Sequence, residues 1–99
     1  MDRLFLKPQY LNMLLEIFQN YCPKATIWAY GSRIKNEAHE GSDLDLVIKN
    51  FSDEEKDLYT LKKLLNDSDI PILIDIHDFN HLPKSFQEEI ENDYIAIFN

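Results

Sequence analysis

Residues 30–48 read Tyr-Gly-Ser-Arg-Ile-Lys-Asn-Glu-Ala-His-Glu-Gly-Ser-Asp-Leu-Asp-Leu-Val-Ile. Gly31-Ser32 closes one apolar, β-rich run, and Asp43-Leu44-Asp45 opens the next after ten intervening residues. Two carboxylates one residue apart on a strand point to the same face, because side chains alternate. That sets like charges side by side, where a fold normally avoids them. A bound cation is the simplest partner that makes such a pair favourable.

Working outward, residues 25–30 (Ala-Thr-Ile-Trp-Ala-Tyr) are rich in β-formers and predict a first strand, broken by Gly31. Ser32 is a good N-cap, which predicts a short helix over 33–38, followed by a loop through His39, Glu40, Gly41 and Ser42. Residues 43–49 predict a second strand, with Asp43, Asp45 and Val47 on one face and Leu44, Leu46 and Ile48 on the other. Upstream, Leu11, Leu14, Leu15 and Phe18 recur at helical spacing behind Pro8, a residue suited to a first turn. Cys22-Pro23-Lys24 ends that helix.

Downstream, Ser52 predicts the cap of the next helix, with Asp53, Glu54 and Glu55 in a first turn that favours anions. Leu58, Leu61, Leu64 and Leu65 form its apolar stripe. A turn over 66–69 and Pro71 lead into a third strand over 72–79. There Ile72, Ile74 and Ile76 share one face, and Leu73, Asp75 and His77 the other. A last helix begins near Pro83 and runs through Phe86 and Ile90 to Asn92. The tail over 94–98 reads as a fourth short strand or a packing segment. The expectation is a two-layer α/β (α+β) domain over residues 1–99, a small mixed sheet of three to four strands with helices on one face.

The chain has 99 residues, of which 44 % are apolar and twelve are aromatic, enough for one ordinary globular core. Eighteen acids against ten bases give a net charge of −8. That balance argues against direct nucleic-acid binding, which needs clustered Lys and Arg, and suits a basic partner. A single cysteine, Cys22, rules out an intrachain disulfide. The N-terminal apolar run is too short for a signal peptide, and no run approaches the ~20 residues that span a membrane, so the expected setting is the cytoplasm.

Asp75 interrupts the run Ile-Leu-Ile-Asp-Ile and is poorly explained as a surface residue. If the second and third strands are neighbours, Asp43, Asp45 and Asp75 converge on one face. Converging carboxylates form a hard-oxygen site that suits Mg²⁺, one or two ions, with water and phosphate completing the shell. With a nucleoside triphosphate bound, such ions orient the attacking oxygen and stabilise leaving pyrophosphate. Gly31 lets backbone approach a phosphate, and a helix starting at Ser32 presents N–H groups to it. Arg33 or Lys35 adds positive charge, the guanidinium of Arg33 being better matched to phosphate. The candidate nucleotide-binding residues are therefore Gly31, Ser32, Arg33 and Ser42; the candidate catalytic and metal residues are Asp43, Asp45 and Asp75. His77 shares the Asp75 face but reads as a packed or half-exposed histidine. Trp28 and Tyr30 read as packing aromatics.

Gly31-Ser32, ten residues, then Asp43-Leu44-Asp45 resembles the Gly-Ser…Asp-x-Asp signature of the DNA polymerase β-like nucleotidyltransferase superfamily. In length and element order the chain resembles the minimal nucleotidyltransferases, the antitoxin partners of helical HEPN-domain toxins. The resemblance implies that Ser32 contacts the nucleotide phosphates and that Asp43 and Asp45 bind Mg²⁺. It implies that Asp75, the third acid, assists the metal or activates the acceptor hydroxyl. It further implies transfer of AMP from ATP to a tyrosine of a partner toxin (AMPylation), in a type VII-like toxin–antitoxin pair. Asn36 departs from the pattern, standing where relatives often carry glycine; Asn tolerates left-handed backbone. Two alternatives stand beside this expectation. One is a non-catalytic antitoxin that neutralises its partner by complex formation, which the −8 charge motivates. The other is phosphoester hydrolysis, which lacks a water-activating base beyond Asp75.

Overall fold

The computed structural model describes residues 3–35 and 41–99. In chain order the elements are helix α1 (Pro8–Tyr21), strand β1 (Thr26–Tyr30), a 3₁₀ turn (Ser32–Ile34) and strand β2 (Leu44–Asn50). Helix α2 (Leu58–Asn66), strand β3 (Ile74–Asp78), a second 3₁₀ turn (Phe79–His81), helix α3 (Lys84–Asn92) and strand β4 (Ile95–Phe98) follow. The expected Asn36 backbone, the rest of the helix over 33–38, and His39 and Glu40 lie outside the described residues.

One mixed sheet runs in the order β3-β2-β1-β4. β1 pairs antiparallel with both β2 and β4, and β2 pairs parallel with β3. The parallel pair is joined through α2, the kind of crossover that parallel strands require. The tail is therefore a strand, and Asn99 ties its end to β1 by donating to the carbonyls of Pro23 and Ala25 at 2.8 and 2.9 Å.

The two faces of the sheet follow directly from alternation. Ile27 and Ala29 of β1, Leu44, Leu46 and Ile48 of β2 and Ile76 of β3 bury against Leu14 and Phe18 of α1 and Leu61 and Leu65 of α2. Each leucine, isoleucine or phenylalanine among them, fully removed from water, contributes about 1.5–3 kcal/mol. The helices expected on one face are α1 and α2; α3 departs from that layer. Val47 faces the other way and is buried with Phe79 and Ile90 of α3, beside Trp28 and Tyr30. By alternation Asp45 and Asp75 share that second face with Val47.

Three local expectations change. α2 starts at Leu58, not after Ser52, because Asp57 is the cap: its carboxylate accepts from the Thr60 N–H at 2.7 Å. Tyr21 of α1 holds that cap, its hydroxyl accepting from the Asp57 N–H at 3.0 Å. Ser52 has φ 55 and lies in the lead-in, and Asp53 caps a turn there by accepting from the Glu55 N–H. Leu64 flanks the α2 stripe and is 40 % exposed. β3 is shorter than expected, since Phe79 turns out of the strand into the 3₁₀ turn and under Val47.

Candidate active site

The strand order puts β2 between β3 and β1, and this decides the site. In the parallel register Asp45 lies directly beside Asp75; in the antiparallel register it lies beside Tyr30. Adjacent strands are about 4.8 Å apart, so the row Tyr30–Asp45–Asp75 forms one line across three strands. Asp43 is exposed, one residue before β2, and its charge reaches Asp45.

Gly31 ends β1 with φ 81 and ψ −154, a conformation essentially reserved for glycine. A Cβ there would stand 3.3 Å from the Asp45 Cβ and Cγ, and closer still to Oδ2. The Gly-Ser turn is thus laid directly on the carboxylate of the Asp-x-Asp motif, and the absent side chain is what permits it.

Ser32 opens a single 3₁₀ turn, not the cap of a longer helix. The N–H groups of Ile34 and Lys35 donate back to Gly31 and Ser32 carbonyls at 3.2 and 3.0 Å. A one-turn element has little macrodipole, so the phosphate-facing potential expected of a helix N-terminus is not supplied here. What remains at this end is the half-buried Ser32 side chain and the turn itself.

Arg33 departs most from expectation. It is 3 % exposed. Its Nε donates to the Ser42 carbonyl at 2.9 Å and its NH1 to the Phe5 carbonyl at 2.7 Å. The Phe5 ring lies 5.6 Å from the guanidinium, and the Phe5 N–H donates to the Arg33 carbonyl at 2.6 Å. Two of its guanidinium nitrogens donate to backbone carbonyls, so the side chain expected to meet a triphosphate lies buried with part of its donor fork facing the chain itself. Ser42 is half-buried and anchored through that bond.

The electrostatics single out Asp45. Burial raises its pKa, and the neighbouring Asp75 and Asp43 charges raise it further, while His77 works against them. Tyr30 is pushed up to about 12 by burial and then by Asp45 and Asp75. His77 stands two residues from Asp75 on the same face, its Nε2 3.1 Å from Asp75 Oδ2. Trp28 and Tyr30 do pack: Trp28 stacks on Tyr94 at 3.8 Å and meets Phe79 edge-on, and Tyr30 meets Phe86 edge-on at 5.8 Å.

Residues 12–99 match the family described as Polymerase beta, Nucleotidyltransferase. A Haemophilus influenzae (strain Rd KW20) protein named "Probable protein adenylyltransferase MntA" is 36 % identical over 98 residues, covering 96 % of this chain and 84 % of that protein. The chain belongs to the polymerase β nucleotidyltransferase family. As a nucleotidyltransferase it has its Gly-Ser turn and paired acids on three adjacent segments of one sheet edge.

The donor set of this nucleotidyltransferase fits Mg²⁺. The oxygens are hard carboxylates, and Asp45, whose pKa is raised first by burial and then by the Asp75 and Asp43 charges, is a carboxylate whose ionised form a divalent cation would favour. Among the described residues no three His, Cys, Asp or Glu side chains form a ready-made cage. An open seat of one or two carboxylates is what Mg²⁺ uses when phosphate and water supply the remaining ligands. Asp45 and Asp75 would hold the ion, with Asp43 beside them. Tyr30 and His77 border this seat without having been singled out for it in the sequence. The signal for His77 is its i+2 spacing from Asp75; that for Tyr30 emerges only with the β1–β2 register. Among the described residues no helix is long and apolar enough to cross a membrane.

Proposed function

We propose that this nucleotidyltransferase moves AMP from ATP to a tyrosine hydroxyl of a partner protein, a helical HEPN-type toxin, and silences it as the antitoxin of a type VII-like pair. The observation that carries this reading is the in-register pair Asp45–Asp75, with Asp45 lying against the Gly31 turn. The relative named as a protein adenylyltransferase supports the choice of AMP and of a protein acceptor.

In this reading the acceptor oxygen attacks the α-phosphorus of ATP. A phosphorus–oxygen bond forms, the α–β anhydride breaks, and pyrophosphate leaves with the electron pair. Ser32 and the turn at Gly31 meet the triphosphate, with Ser42 at the same end. Asp75, on the free-edge strand, receives the acceptor proton. Asp45 and Asp75, with Asp43 beside them as the third acid, would hold Mg²⁺, which would supply charge neutralisation for the triphosphate and the departing pyrophosphate. Residues 1–99 act as one domain, in the cytoplasm, where ATP and the partner meet.

The test is transfer of label from α-³²P-ATP in Mg²⁺ to the purified product of the neighbouring gene, taken as the candidate partner. The partner becomes labelled, and Asp43→Asn with Asp45→Asn abolishes labelling while circular dichroism stays that of the folded chain. No label on an active, folded partner refutes the enzymatic reading. The net charge of −8 favours a second reading, neutralisation by binding alone. That reading requires the doubly substituted chain to keep neutralising; a variant that binds the partner but no longer protects excludes it.

A further inference from the structure

We propose that Arg33 is a positioning residue for the transfer reaction: it holds the segment entering Asp43 against the Gly31–Ser32 turn. The proposal rests on the reading above and adds a role for a side chain that this reading leaves without one.

A buried guanidinium is costly unless its donors are matched. This one is matched to two main-chain carbonyls from distant parts of the chain, Phe5 and Ser42. The Phe5 peptide is bound from both sides, since its N–H returns to the Arg33 carbonyl. The N-terminal segment, the Gly-Ser turn and the run into the acids are therefore tied at one side chain.

The consequence falls on Asp43. It lies outside β2, where no ladder fixes it. The peptide group before it is anchored by Arg33 Nε on the Ser42 carbonyl. The peptide group after it is anchored by the Leu44 N–H, which donates to the Leu73 carbonyl at 2.9 Å. Leu73 leads into the strand that carries Asp75. Asp43 is thus suspended between two pinned peptides, one facing the phosphate turn and one facing the third acid. Removing the first pin loosens the Phe5 segment as well, but it leaves the β2–β3 ladder that holds Asp45 beside Asp75, so among the three acids the effect falls on Asp43.

Lysine cannot replace this arrangement. Its ammonium is a point charge and does not present the rigid planar fork that spans two carbonyls. Arg33→Lys and Arg33→Gln are compared with the wild-type chain, each well below its own melting temperature. Two readouts are taken: Mn²⁺ affinity, from loss of the free-ion electron paramagnetic resonance signal, and steady-state kinetics with the partner protein. Both variants are expected to bind Mn²⁺ about tenfold more weakly and to lose about tenfold in kcat, with KM for ATP within about threefold.

A tenfold rise in KM for ATP with kcat and Mn²⁺ affinity at the wild-type level means direct phosphate contact and overturns the proposal. Wild-type values throughout also overturn it. Arg33→Gln buries no charge, so it decides the question if the lysine variant does not fold. Asp45→Asn separates the two levels of argument. Mn²⁺ binding indifferent to Asp45→Asn removes the metal seat, the reading above and this role together. Binding that needs Asp45 but ignores both Arg33 variants removes the positioning role alone.

Discussion

Gly31→Ala tests whether the Gly-Ser turn and the Asp-x-Asp motif are one object. Two separate costs can be worked out. At φ 81 and ψ −154 any residue with a Cβ is strained, by about 1–3 kcal/mol. The new methyl also meets the Asp45 side chain, its Cβ and Cγ at 3.3 Å and its oxygen closer, an overpacking worth about 1–3 kcal/mol. The sum, roughly 2–6 kcal/mol, is a large share of the about 5–15 kcal/mol that holds a domain together. In an Asp45→Ala background the carboxylate is gone while the backbone strain and the contact with the Asp45 Cβ position stay. There the same change costs about 1–3 kcal/mol of strain plus the share of the overpacking that the Cβ contact carries, which leaves a coupling of at most about 3 kcal/mol for the cycle. Urea unfolding followed by the fluorescence of Trp28, the single tryptophan, measures all four chains. A Gly31→Ala cost below about 0.5 kcal/mol refutes the strain argument. An equal cost in both backgrounds refutes the contact with Asp45. Transfer activity is lost in Gly31→Ala even where the chain remains folded, because the carboxylate must move to admit the methyl.

The Asp57 cap gives a pH signature. The Thr60 hydrogen bonds lower the Asp57 pKa from its ordinary 3.8, so the ionised form is favoured in the folded state. Stability from that group is present above the unfolded carboxylate range and disappears as pH falls through the lower folded value. Melting curves should therefore show Asp57→Ala less stable than wild type at pH 7 and the gap closing in acid; a gap that persists below the carboxylate range refutes the charged cap. Cys22 is buried at 1 % exposure, and desolvation pushes its thiol up to about 11 despite the opposing Lys56 charge. At pH 8 only about one molecule in a thousand carries the thiolate, so Ellman's reagent should leave the native chain unmodified and react promptly once denaturant is added. Rapid reaction of the folded chain contradicts that burial.

The elements that carry the site were legible because each has a period or a breaker. Alternation over 44–48 separated Leu44, Leu46 and Ile48 from Asp45 and Val47, and the structure keeps that division. Asp75 was conspicuous as an acid in an apolar run, and the β2–β3 register sets it beside Asp45; but β3 is an edge strand and Asp75 is exposed there, so its reading as ill-suited to the surface does not hold. The failures share a cause, competition between local options that only tertiary contacts settle. Ser52 and Asp57 are both good caps; Tyr21, thirty-six residues away, selects Asp57. Arg33 after a glycine turn reads as a phosphate ligand, and the partner that claims it, the Phe5 carbonyl, is twenty-eight residues away. The side of the sheet on which α3 lies depends on Val47 and Phe79 meeting Ile90, which periodicity within one helix does not encode.

The places where this chain breaks local rules coincide. A half-buried acid is set beside another acid, a glycine-only backbone presses on the first, and a buried arginine is spent on loop carbonyls. The acid pair and the glycine backbone are unfavourable alone, and the arginine is costly to bury, although its tie to Phe5 also seats Leu4 and Ile34 in the core. A sequence shaped for stability only would relieve all three. Their concentration on one edge of three neighbouring segments has a common explanation if the edge is built for a cation and a phosphate chain. In the proposed reading a cation would offset the acid pair, the open glycine backbone would admit the phosphates, and the arginine would keep Asp43 within reach of both. The same logic explains why β2 is central. Only the middle strand of β3-β2-β1 can offer one carboxylate to a turn on its one side and a second carboxylate on its other.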